Sequence, residues 1–341
     1  MKKFLFIIII IFFNNQSYSY DLFETSFYKI EFISNNIEND KINKLKNLKK
    51  LSLLNIFKNT LDREKYNEVY NYLSDDLVNT FVKNIIINDE KIINNKYFSE
   101  IKINFDKKKI INYFREKQIP YIEYYPENFL LIIYEQDKIK DSLFSKNNNF
   151  YSYINDNLET YKIFKVPNLD INDRYILKKE NLINKDYKTI KNFSNKYNIN
   201  EVIIILANKN KELVTYDLIL YSDGLISEKR LMFNKYIFQE FFKILEFETV
   251  NIWKQLNQIQ HSSVNIINCN INYFNILELK EIRKNLKNVS NIQNLDIKSI
   301  KYKNIEYDIY YYGSLKIFSN IIKINKLKIT YEKNLCSISL K

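Results

Sequence analysis

Asp170 and Asp173, with Glu180 a few residues on, form the acidic cluster with the most suggestive spacing in this chain. Paired carboxylates can serve as general acid and base, or offer oxygen ligands to Ca²⁺ or Mg²⁺. The same spacing suits a turn, in which Asp170 and Asp173 accept hydrogen bonds from nearby backbone N–H groups. His261 is the only histidine, so a histidine-rich metal site within one chain is excluded. A Cys–His nucleophile pair would have to join His261 to Cys269 or Cys336. Along one extended segment His261 and Cys269 stand ~26 Å apart at ~3.3 Å per residue. Such a pair therefore needs a chain that folds back, and no orienting third residue is visible. No residue is assigned as catalytic, and no metal or cofactor is implied.

Cys269 and Cys336 are the whole cysteine inventory. In an oxidising compartment an even pair invites a disulfide; in a reducing one, two buried thiols pack as small hydrophobes. Both readings stay open, because adjacent strands alone do not secure the Cα separation of about 4.4–6.8 Å that a bridge needs. The two glycines, Gly224 and Gly313, lie outside any phosphate-cradling motif, which excludes nucleotide-binding loops of that kind. Tyr124-Tyr125 and Tyr310-Tyr311-Tyr312 could stack on glycans or peptides, but alternation along a strand sends half of each cluster into the core.

Residues 1–19 read as a secretory leader: Lys2-Lys3, an apolar run from Phe4 to Phe13, then Ser17-Tyr18-Ser19 as a cleavage site. The apolar run is too short to span a bilayer, and no later stretch approaches the necessary length. The expected location is therefore the periplasm. The formal charge is +12; without Lys2 and Lys3, 50 basic residues face 40 acidic ones, a charge of +10. The lysines are scattered and arginine is scarce, so no nucleic-acid-reading surface is expected.

The elements that must position these residues are legible from their period. Ile101 to Asp106 alternates as a half-buried strand, Asp106 caps a helix from about Lys107 to Lys117, and Phe129 to Tyr134 reads as a buried strand. Helices are expected over about 41–58, 62–81, 185–197 and 236–260, with a hairpin around Asp223-Gly224. The last eighty or so residues read βαββαβ, a ferredoxin-like order. The expected fold is α+β: two to three mixed modules with antiparallel-rich sheets. Its divisions are a leader (1–19), an N-terminal module (20–135), a middle module (136–260) and a C-terminal module (261–341).

Several short motifs occur in a recognisable order. They are Ile103-Asn104-Phe105-Asp106, Ile119-Pro120-Tyr121, Pro126-Glu127-Asn128-Phe129-Leu130, Val166-Pro167-Asn168-Leu169-Asp170, and Tyr197-Asn198-Ile199-Asn200-Glu201-Val202. Together they resemble the exported bacterial proteins grouped as domain-of-unknown-function family 2066, over roughly residues 20–260. Members usually carry Arg-Pro where this chain has Tyr125-Pro126. The resemblance implies export and carries over no functional residue. The first expectation is a non-enzymatic periplasmic protein that binds or assembles an envelope partner. The second is a hydrolase or metal-dependent enzyme using Asp170, Asp173 and Glu180. The third is a peripheral binder of anionic membrane surfaces.

Overall fold

The computed structural model describes residues 22–136, 143–145, 148–209, 214–222, 224–233, 237–332 and 335–341. The expected leader, residues 1–19, lies outside the described residues, as does Asp223. The fold is α+β, with three sheets sharing one continuous apolar core. Among the described residues no helix is long and apolar enough to cross a membrane.

The first sheet joins β1 (Tyr28–Ile33), β3 (Lys96–Phe105) and β2 (Val82–Ile93), antiparallel, with β3 central. Side chains alternate across β3, so Tyr97, Ser99, Ile101, Ile103 and Phe105 are buried on one face while the intervening residues are partly open. The β2–β3 turn is Asn94-Asn95, both at positive φ (48° and 62°), as a two-residue hairpin requires. Helix α1 (Ile37–Thr60) packs on β3. It starts four residues earlier than expected, because Asn36 accepts from the N–H of Asn39 and caps it.

The single helix expected over 62–81 is two helices, α2 (Arg63–Tyr72) and α3 (Asp75–Phe81). Ser74 breaks them by accepting from the N–H of Leu77 and capping α3. Helix α4 (Lys107–Glu116) is capped by Asp106, which accepts from the N–H groups of Lys108 and Lys109. Between α4 and residue 128, Tyr121 makes an isolated bridge to Ile259.

The second sheet runs β5 (Phe164–Lys165), β4 (Phe129–Gln136), β6 (Glu201–Lys209), β7 (Val214–Ser222), β8 (Leu225–Phe233). β4 pairs parallel with β6 and β5, so it belongs to this sheet and not to the N-terminal module that a boundary at 135 assigns it to. Parallel neighbours need a long crossover. That crossover holds α5 (Asn149–Asp156), α6 (Ile171–Ile176), α7 (Lys179–Ile183) and α8 (Tyr187–Lys196). Every residue from Phe129 to Tyr134 and from Val202 to Ala207 is buried, the mark of strands covered on both faces. On one face Phe150 of α5 and Phe241 of α9 (Phe238–Asn257) pack against Tyr216; on the other, Tyr187 stacks on Tyr221. Gly224, at φ 95°, turns the β7–β8 hairpin.

The third sheet has the order β10 (Ile292–Lys301), β11 (Asn304–Tyr312), β9 (Val264–Asn272), β13 (Leu335–Leu340), β12 (Leu327–Glu332). Helix α10 (Ile276–Asn288) follows β9, and α11 (Leu315–Ile324) follows β11. β11 lies between β9 and β10, the split βαβ expected of a ferredoxin-like order. The closing hairpin then places its second strand, β13, parallel beside β9 and pushes β12 to the edge. Gly313, at φ 84°, turns β11 into the Ser314 cap of α11; a Cβ there would meet only ordinary contacts, so the backbone angle is what requires glycine.

Candidate functional site

The structure brings Asp170 and Asp173 together and spends both on local architecture. Asp170 caps α6, its Oδ1 accepting from the N–H of Asp173 at 2.8 Å. That bond, aided by Lys196, holds its carboxyl below the usual aspartate range. Asp173 is fully buried and accepts from the Leu169 N–H (2.9 Å), Lys196 Nζ (2.7 Å) and Tyr197 Oη (2.6 Å). Burial, with the bond to Asp173, pushes the Tyr197 phenol up to about 12. Glu180 stays outside this network, exposed on α7 beside Lys178 and Lys179. Among the described residues no three His, Cys, Asp or Glu side chains gather to hold a metal ion.

Cys269 and Cys336 face each other in the β9–β13 register and are joined in a disulfide, Cα atoms 4.4 Å apart. Neither sulfur is therefore a nucleophile for His261. The histidine ring instead lies between aromatics, 5.7 Å from Tyr121 and 4.8 Å from Tyr312 between centroids. Both ring nitrogens are buried with no protein partner. Burial, with Arg115 nearby, pulls its pKa down to about 4. The unfolded histidine titrates near 6.5, so its contribution to stability is present above that value and lost as pH falls toward 4. Discounted for partial exposure, the loss is roughly 1–2 kcal/mol. His261→Phe should flatten that part of the acid limb in urea unfolding measured between pH 7 and 4; an unchanged limb would show the histidine to be solvated.

The tyrosine clusters pack. Tyr124 meets Trp253 edge-on at 5.5 Å and accepts from Asn320; Tyr311 stacks on Phe318 at 4.4 Å.

The strongest convergence of polar groups lies at the C-terminus of α1. A helix leaves its last four carbonyls without partners inside the helix. Here Phe57 O accepts from the Leu61 N–H, and distant segments supply partners for the other three. Lys254 Nζ on α9 donates to Lys58 O (2.5 Å) and Leu61 O (2.8 Å); Tyr125 Oη donates to Asn59 O (2.6 Å); the Ile122 N–H donates to Thr60 O (2.8 Å). The negative end of the helix dipole suits the Lys254 ammonium. Lys254 is only 6% exposed, and burial pulls its pKa down to about 8, against the upward pull of Asp62. From the other side Asn251 of α9 accepts the Arg63 N–H at 2.8 Å, tying α9 to the start of α2.

A cleft of about 550 Å³ opens at this joint. Lys58, Arg63, Lys243 and Lys254 line it, with Glu246 as the one acid and Tyr66, Phe247 and Val250 as apolar wall. Burial raises the Glu246 carboxyl above the usual range. The Arg63 guanidinium sits 5.8 Å over the Phe247 ring. Among the described residues Lys58, Arg63 and Lys243 form no ion pair. No family model, curated protein or solved structure matches this chain.

Sequence reasoning passed over this cleft. Its cations come from α1, α2 and α9, up to 196 residues apart, and each reads alone as a solvated lysine or arginine. The one local hint is Lys254, which follows Ile252 and Trp253 on the buried face of α9.

Proposed function

We propose that this protein is exported and works by binding, as an interaction or assembly factor of the cell envelope that makes and breaks no bonds. The Cys269–Cys336 disulfide carries the reading, because such bridges persist in oxidising compartments and are rare in the cytosol. The leader-like residues 1–19 point the same way. A binding role is supported by the edges of the sheets. β2 is an edge strand exposed along nearly its whole length, with Ile86, Ile87, Ile92 and Ile93 open to solvent. β10 is another, with Ile297 and Ile300 open. Edge strands offer backbone N–H and C=O groups to a partner chain. The carboxylates that could have run acid–base chemistry, Asp170 and Asp173, are instead committed to a cap and a buried network.

The test is fractionation of producing cells with thiol labelling and mass spectrometry of the recovered chain. The expected product is periplasmic, begins at Tyr20, and takes up no maleimide until reduced. Covalent cross-linking in intact cells should then capture an envelope protein. A cytosolic chain with its leader intact and both thiols free would end the export half. A turnover abolished by one side-chain change would end the other.

A further inference from the structure

We propose that the cleft at the α1–α9 joint binds a small amphipathic anion, a single acidic head on an apolar body. The inference goes beyond the envelope role and stands without it. Three lining cations, Lys58, Arg63 and Lys243, carry no protein counter-ion among the described residues. The fourth, Lys254, commits two of its three N–H donors to the carbonyls of Lys58 and Leu61, and its ammonium lies 5.8 Å over the Tyr125 ring. The opposing charges are Glu246 in the wall and Asp62 beside the floor; the Asp62 carboxylate already accepts from the N–H groups of Glu64 and Lys65. The balance of the site is positive, and a cleft with low-dielectric walls concentrates such a field.

The apolar part of the site selects the rest of the ligand. Phe247 remains 46% exposed, with Tyr66 and Val250 as further apolar lining. The cleft's volume of about 550 Å³ falls in the range of small-molecule sites, roughly 300–1,000 Å³. A bare inorganic anion leaves the aromatic wall unused. A neutral apolar molecule leaves Lys58, Arg63 and Lys243 without a counter-ion. An acid head on a short aliphatic or aromatic body satisfies both.

The experiment is calorimetric titration of the full chain with decanoate, decylamine and inorganic phosphate, and co-sedimentation with phosphatidylglycerol vesicles. Decanoate should bind and the other two small probes should not. Arg63→Glu with Lys243→Glu, both exposed positions, should weaken decanoate at least about ten-fold, and Val250→Trp should fill the cleft and remove binding with the charges untouched. A thermal melt confirms that each variant is folded. Equal binding of decanoate and decylamine, phosphate binding as tight as decanoate, or no decanoate binding at millimolar concentration overturns the proposal. Vesicle binding that survives Val250→Trp, without decanoate binding in solution, assigns the cations to a membrane surface and overturns it as well.

Discussion

Replacing Cys269 and Cys336 together by alanine should lower the unfolding free energy by about 4 kcal/mol, the loop-closure value for a sequence separation of 67. The separation is long because the bridge joins β9, the first strand of the third sheet, to β13, the last. β9 and β13 are parallel and share only three register pairs, Cys336 with Cys269, Ser337 with Asn270 and Ile338 with Ile271. A covalent link at the first of these positions holds a short ladder that would otherwise depend on the β12–β13 hairpin. Both sulfurs sit in the core, Cys269 at 0% exposure and Cys336 at 2%, so alanine leaves little polar debt behind. Urea unfolding of the oxidised, reduced and doubly substituted chains measures the effect. A loss below about 1 kcal/mol in the double variant would mean that the closing hairpin is held by packing alone.

Asp173→Ala is expected to cost about 3 kcal/mol, through one buried and one half-buried donor left without an acceptor. Those donors are the Leu169 N–H and the Tyr197 hydroxyl, and Asp173 itself is fully buried. Lys196 contributes less to the loss, because its side chain is 26% exposed and can turn to water. Glu180→Ala should leave stability unchanged, since Glu180 is exposed and outside the network. Chemical unfolding of the two variants side by side separates the readings. An Asp173→Ala chain as stable as the parent, but lacking an activity the parent has, would return this cluster to acid–base chemistry.

Local order was legible where one residue type dictates one backbone outcome. Asp106 reads as a cap because its carboxylate reaches the N–H groups two and three residues on, and it does. The alternation of β3 marks one buried face, and the structure buries that face. The break at Ser74 was readable too, in Ser74-Asp75-Asp76, but the apolar spacing of the flanking helices hid it.

The sequence alone determined the types of most elements, the ferredoxin-like order of the last strands and the exclusion of histidine-rich and glycine-loop chemistry. These depend on period, caps and inventory, which are local or countable. Tertiary structure decided which sheet β4 joins, that the two cysteines meet, and that Asp173 spends its lone pairs on Leu169, Lys196 and Tyr197. It also decided that Lys254 closes a helix formed nearly two hundred residues earlier. Those outcomes follow from pairing and burial between segments far apart in the chain, and no periodicity within one segment encodes its partner.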